Sequence, residues 1–240
     1  MSKNDTTMTH AISPNALNNA SKLSHNSICG HYHSKFSLER YADANTLRWA
    51  MIVGCLMDTN SPAARYGVGV LSRPINGVGM LLGGRGNTLI ISDLHIPYHH
   101  RDAFDFLWAL HQEYQFSRIL NVGDIADHHA GSYHESEPDA YDAETEYTLT
   151  KKYMQELEAM FPKMTITVGN HCMIPTRKLK SAGLPSSMLQ DHNSLYELQG
   201  GWDWVPKYSF DSWGAYPVMQ PMVLNKRGRW DKDILKIGSK

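Results

Sequence analysis

The sequence predicts an α/β fold built on a parallel sheet covered by helices. Three apolar, β-branched runs carry that expectation: Thr88-Leu89-Ile90-Ile91-Ser92, Arg118-Ile119-Leu120-Asn121-Val122 and Met164-Thr165-Ile166-Thr167-Val168. Short runs of this kind suit strands buried on both faces. Helical patterns separate them. Phe104, Leu107, Trp108 and His111 fall on one helical face between the first two, and Leu149, Tyr153, Leu157 and Met160 on another between the second and third. Pro162 then acts as a stop signal. Strand and helix alternating in this way build a parallel sheet.

The flanking elements follow in order. Ser13-Pro14 ahead of Ala16, Leu17, Ala20 and Leu23 predicts a capped helix with proline at its first position. Residues 36–41, a turn at 42–45 and residues 47–57 predict a hairpin. Gly83-Gly84-Arg85-Gly86-Asn87 reads as a linker, extended to about 17 Å at about 3.4 Å per residue. Residues 218–224 read as a strand pairing with residues 77–82 and forming the edge of a second sheet, followed by the basic Lys226-Arg227-Gly228-Arg229-Trp230. The acidic residues from 135 to 146 read as a solvated loop and helix start. Trp202, Trp204, Tyr208 and Phe210 read as core.

Composition narrows the function classes. With 240 residues, 42% hydrophobic and 20% charged, the chain is an ordinary globular protein large enough for a sizeable core. Its longest apolar stretch, residues 50–57, is too short to cross a bilayer, so no membrane partner is expected. Residues 1–5 lack the apolar core of a signal peptide, and three cysteines, Cys29, Cys55 and Cys172, make no disulfide framework; both point to a cytoplasmic location. A net charge of −1 gives no global field for nucleic acid. The excess is histidine, 13 residues, which directs attention to metal and acid–base chemistry.

Each central run ends in metal-ligand residue types: Asp93-Leu94-His95, Gly123-Asp124-Ile125-Ala126-Asp127 and Gly169-Asn170-His171. The carboxyl ends of parallel strands face the functional crevice, so Asp93, His95, Asp124 and Asn170 are expected to converge. Carboxylate, imidazole and amide oxygen suit Mn, Fe, Zn or a similar divalent ion.

These three motifs resemble those of the calcineurin-like metallophosphoesterases, which run D-x-H, GD-x-x-D, GNH-(D/E), a lone His and GH-x-H. Cys172 stands where the acid follows GNH, and no histidine follows His192. The two missing motifs stand at the front instead, as His10 behind Thr7-Met8-Thr9 and as Gly30-His31-Tyr32-His33. The resemblance covers roughly residues 7–230 and is closest to small phosphoesterases of the type found in bacteriophages, which would place the chain in a host cytoplasm. It implies a two-sheet αββα sandwich, circularly permuted or rearranged. Residues 1–82 would be the C-terminal half of the phosphoesterase domain, 83–87 a linker, 88–210 the N-terminal half, and 211–240 an edge strand and basic tail, all in one structural domain.

The resemblance also implies the site. One divalent ion would be held by Asp93, His95, Asp124 and His33, the second by Asp124, Asn170, His10 and His31, with Mn first and Fe, Zn, Ni or Mg as alternatives. His171 would protonate the leaving oxygen, and Asp127 would orient a ligand. His128, His129, His134 and Arg177, with Lys178 and Lys180, are candidates to contact substrate phosphate or to be plain surface. The expected partner is a phosphomonoester or phosphodiester, with nucleotide or nucleic acid among the candidates, acted on by a monomer or a swapped homodimer. Two rivals stand beside this reading: a rearranged, non-catalytic relic that keeps weak metal or nucleic-acid binding, and a protein phosphatase.

Overall fold

A computed structural model describes residues 5–23, 25–42, 46–67, 73–132 and 137–232. The first part of the chain runs β1 (Asp5–Thr9), α1 (Ala16–Leu23), β2 (Asn26–Cys29), β3 (Ser37–Ala42), β4 (Leu47–Ile52) and β5 (Gly77–Gly83). The middle runs β6 (Thr88–Ile91), α2 (Ala103–Tyr114), β7 (Arg118–Asn121), α3 (Ala143–Met160), β8 (Met164–Thr167) and α4 (Ile174–Ser181). The end adds α5 (His192–Leu195), β9 (Trp202–Val205), β10 (Tyr208–Asp211) and β11 (Ala215–Pro221).

The strands form two mixed sheets, one in the order β11-β5-β6-β7-β8-β9 and one in the order β10-β1-β2-β4-β3. The period of two along a strand explains how they stack. On β6, Leu89 and Ile91 face the helices and pack with Phe106, Leu107 and Leu110 of α2 and Met154 and Leu157 of α3. Ile90 points the other way, joining Leu81, Leu120 and Val122 against Met8, Ile28, Trp49 and Met51 of the second sheet. Each such side chain contributes about 1.5–3 kcal/mol on burial. Helix α1 covers the far face of the small sheet over Ala50 and Ile52. The layers are therefore helix, sheet, sheet, helix.

Several sequence readings shift. The helix α1 is capped by Asn15, whose Oδ1 accepts the Asn18 N–H at 3.0 Å, so Ser13 and Pro14 lie ahead of it. Trp108 is 45% exposed, because the buried face of α2 runs through Ala103, Phe104, Phe106, Leu107 and Leu110. On α3 the buried stripe is Glu146, Thr150, Met154, Leu157 and Glu158. Residues 83–87 are no extended linker: Gly86 N donates to Gly83 O at 3.3 Å, closing the turn of the antiparallel β5–β6 hairpin. The tail strand is Ala215–Pro221, three residues earlier than expected, and pairs with β5 at the edge of the sheet that holds the central strands, not of the other. The 36–57 hairpin forms as the β3–β4 pair, its turn at 43–45 lying outside the described residues. The boundary read at residue 210 falls inside β10, which crosses to the small sheet and pairs with β1. Trp202 is buried, and Tyr208 and Phe210 pack on the inter-sheet core.

Among the described residues, no helix is long and apolar enough to cross a membrane.

Candidate metal centre

Both sheets contain a parallel trio, β6–β7–β8 in one and β1–β2–β4 in the other. Register carries one strand end to the next: Ile91 is level with Asn121, after which Asp93 N donates to Gly123 O at 3.1 Å and His95 N to Asp124 O at 2.9 Å. In the small sheet Thr9 is level with Cys29, and Gly30 N donates to His10 O at 3.0 Å. The two trios end at one edge of the sandwich. There His10, His31 and Asp124 form one group of ligand atoms within 4.8 Å of one another, and His33, Asp93 and His95 form a second.

The backbone turns sharply to do this. His31, Asp93, His95 and Asp124 all lie in the left-handed region, with φ of 68°, 49°, 51° and 44°, a conformation costing on the order of 1–3 kcal/mol in a non-glycine residue. Two glycines supply room. A Cβ on Gly169 would stand 2.0 Å from Asp124 Oδ1, and one on Gly30 would stand 2.1 Å from Ser92 Oγ and 2.7 Å from Asp93 Oδ2.

The ligand atoms of each group point inward at one another. His10 Nδ1 is 2.6 Å from the Val122 carbonyl, to which it donates, so Nε2 of the neutral ring carries a lone pair. Nε2 stands 2.9 Å from Asp124 Oδ2 and 3.1 Å from Asn170 Oδ1, both acceptors, so the protonated ring donates to them and the neutral ring would turn its lone pair to a cation. Asp124 Oδ2 is buried and has no aligned hydrogen-bond donor, while Oδ1 accepts the His171 N–H at 2.8 Å. In the second group Asp93 Oδ1 lies 3.0 Å from His33 Nε2 and 3.8 Å from His95 Nε2, and the two Nε2 atoms are 3.2 Å apart. His95 Nδ1 is engaged by Asp127 Oδ1 at 2.5 Å. Asp93 Oδ2 is fixed by the Ser92 hydroxyl and by the His31 N–H at 2.9 Å.

Charge tells the same story. Burial works against protonation of His10, but the Asp93 and Asp124 carboxylates outweigh it and raise its pKa to about 9. Burial likewise opposes protonation of His95, and its bonds to Asp127 and Asp93 prevail, raising it to about 10. Burial would favour neutral Asp93 and Asp124, but the adjacent imidazoles hold both below the ordinary carboxylate range. Burial and the neighbouring His10 lower His31. Buried acceptors that converge and draw protons onto their histidines fit a divalent cation, which supplies the same positive charge.

A third group was not expected as such. Asp127 stands between His95 and His171: its Oδ1 is 3.2 Å from His171 Nδ1, and its carbonyl is 2.7 Å from the same nitrogen. Burial opposes ionisation of Asp127, yet His171 and His95 push its pKa far down. The remaining candidates are spread out. His128 Nε2 is bonded to the Tyr196 hydroxyl at 2.9 Å, and burial lowers its pKa to about 4. His129 is buried with Nδ1 3.9 Å from Asp127 Oδ2. Arg177 is exposed and donates to the Asn170 carbonyl. His134 lies outside the described residues. Cys172, in the place of the acid, is buried, and burial pushes its thiol up to about 12.

Sequence reasoning missed Ser92, Tyr196 and Glu146. The Glu146 carboxylate accepts the His129 N–H at 2.6 Å and the Ala130 N–H at 2.8 Å, holding the loop that follows Asp127.

With this geometry in place the comparison with known families is decisive: the family model of calcineurin-like phosphoesterase matches residues 86–232. The chain belongs to that family. Calcineurin-like phosphoesterases are metal-dependent hydrolases of phosphate esters. The matched span holds Asp93, His95, Asp124, Asn170 and His171, whereas His10, His31 and His33 lie ahead of it. Curated proteins and solved structures give no match to the chain.

Proposed function

We propose that this phosphoesterase hydrolyses phosphomonoesters or phosphodiesters with two divalent cations, Mn first among them. Asp93, His95 and His33 would hold one, His10, His31 and Asn170 the other, and Asp124 would be shared. The observation that carries the reading is the meeting of two His/Asp groups at adjoining strand ends, each with ligand atoms within 4.8 Å. When bound, such a pair neutralises phosphate oxygens and supplies hydroxide at neutral pH.

The chain's own residues do the rest. Asp124 suits the shared position because one oxygen is oriented by the His171 N–H and the other faces His10. Asp127 holds His95 through Nδ1, leaving Nε2 for the centre. It also engages His171 at Nδ1, so Nε2 of His171 is the atom available to give a proton to the leaving oxygen, a contribution of roughly 10²–10⁴-fold.

We read the order of the motifs as a permutation of the family's order, with the last two placed first. What supports an assembled site over a non-catalytic relic is that β5 and β10 each pair with strands from the other part of the chain. The test is a panel of p-nitrophenyl phosphate, its bis ester, a phosphopeptide and single-stranded DNA with Mn added. Metal-dependent turnover of any of them, lost on chelation, is the expected result; no turnover from a protein that binds two Mn ions defeats the reading.

A further inference from the structure

The basic segment after β11 is a clamped turn, not a loose tail. Leu224 bridges Trp230 in antiparallel fashion, and between them Asn225 N donates to Arg229 O at 2.7 Å. Gly228, at φ 64°, closes the turn with its N–H on Asn225 O at 2.9 Å. Asp102, buried just ahead of α2, locks the base. Its carboxylate takes Arg229 Nε at 2.9 Å, Nη2 at 2.6 Å and the Trp230 N–H at 2.9 Å. The Trp230 ring then packs edge-on to Phe106 at 5.3 Å. From the other side, Arg101 Nη2 lies 3.4 Å from the carbonyls of both Arg227 and Gly228.

The result is a rigid knob carrying Arg101, Lys226, Arg227, Arg229 and Lys232, all exposed. The acids around it are fewer: Asp102, occupied by Arg229, and Asp105 and Asp231. A local positive surplus therefore stands on a chain whose net charge is −1. The knob also stands at the rim that holds the metal centre. Strand β6 ends at Ile91, Asp93 and His95 follow in the loop beyond it, and residues 96–102 of that same loop lead to the start of α2. His100 N donates to Leu56 O at 2.7 Å and Leu56 N to Asp93 O at 3.1 Å, tying the two features together.

We propose that this knob docks the phosphate backbone of a nucleic-acid strand, so that the phosphoester taken by the centre belongs to a polyanionic chain; this names a substrate class for the activity proposed above and rests on it. A small phosphomonoester needs only the centre, whereas cations on a turn joined to the centre's own loop suit the further phosphates of a longer chain. Trp230 is buried, so the knob offers no ring for stacking, and the contacts are to backbone and indifferent to sequence. A turn already fixed by Asp102 loses little freedom on binding.

The experiment is fluorescence anisotropy of a short single-stranded oligonucleotide with the full chain in EDTA, where turnover cannot interfere. Three phosphate contacts give a salt slope of about −2, so a fourfold rise in salt should weaken binding about 20-fold. Lys226→Glu with Arg227→Glu, both at the exposed tip, should weaken binding at least tenfold and flatten that slope by about 1.4. The melting temperature of the double variant, expected to match the wild type, shows that the loss is not unfolding. Absence of binding, a salt slope unchanged by the double variant, or binding of polyglutamate in place of the oligonucleotide would each overturn the proposal. Hydrolysis of p-nitrophenyl phosphate by the wild type with Mn tests the phosphoesterase reading separately. Tip-dependent strand binding without that hydrolysis would remove the activity and leave the dock.

Discussion

Asp124→Asn should abolish the response of this protein to metal. Asp124 is fully buried between the two ligand groups, with Oδ1 on the His171 N–H at 2.8 Å and Oδ2 facing His10 Nε2 at 2.9 Å. Asparagine keeps an oxygen for the His171 N–H, so the loop stays placed while the shared charge is lost. A cation present at about 100 times its dissociation constant stabilises the folded state by about 2.7 kcal/mol, and two independent sites by about 5.4 kcal/mol. In a chain of 240 residues, each kcal/mol moves the melting temperature by about 2–4 °C, so saturating Mn should raise it by roughly 11–22 °C over an EDTA-treated sample. The variant should show almost none of this shift, and His33→Ala, which leaves the His10 group intact, about half. Differential scanning fluorimetry with and without Mn, paired with elemental analysis of bound metal, reads both quantities. An Asp124→Asn variant that keeps two ions and the full shift would refute the role of Asp124 as the shared ligand.

Three further outcomes follow from the same geometry. His171→Ala should retain both metals and lose roughly 10²–10⁴ in kcat, most with poor leaving groups; loss of metal in place of rate would reassign the residue. Gly169→Ala should damage the centre in proportion to crowding, since its Cβ would stand 2.0 Å from Asp124 Oδ1, and unimpaired metal binding would show that the loop yields. Burial raises the Glu146 pKa from 4.5 to about 7, so between those values the folded state binds more proton than the unfolded state and stability falls as pH rises. Urea unfolding across that window should show the fall in the wild type and a flatter profile in Glu146→Gln, and identical profiles would contradict the assignment.

What the sequence made legible follows physical lines. β6, β7 and β8 were readable because a strand buried on both faces must be apolar throughout, and their ends because Asp93, Asp124 and Asn170 follow immediately. The histidines at 10, 31 and 33 were readable by motif. The register that sets them against the carboxylates was not, because it depends on β1–β2 and β6–β7 lying in different sheets. Trp108 misled because a large apolar residue can stay on the surface. Glu158 and Glu146 were hidden for the opposite reason: both are acidic and buried, Glu158 taking the Gln199 N–H at 2.9 and 3.0 Å and Glu146 the loop after Asp127. Nothing local distinguishes such a carboxylate from a solvated one. Strands β9 and β10 were missed because four residues each, rich in aromatics, look like core packing; what makes them strands is distant pairing, β9 with β8 in the large sheet and β10 with β1 in the small one.

Strand exchange between the two parts of the chain explains how residues 10–33 and 93–171 come to one edge. Residues 83–87, which a linker reading would stretch between two bodies, close a hairpin that places β5 against β6. β11 pairs along the whole of β5, from Ala215 against Gly83 to Pro221 against Gly77. The large sheet therefore contains a strand from ahead of the turn, and the small sheet contains β10 from far beyond it. Neither part can bury its apolar face alone: Ile90, Leu120 and Val122 need Met8, Ile28 and Met51 across the sandwich. The contacts that stack the sheets also bring their carboxyl ends to one edge. The left-handed turns at His31, Asp93, His95 and Asp124 are held at that edge by bonds between the same strand ends, His31 N to Asp93 and His95 N to Asp124 among them. What fixes the position of these histidines and carboxylates is which strand ends share an edge, and that does not depend on the order in which the strands follow along the chain.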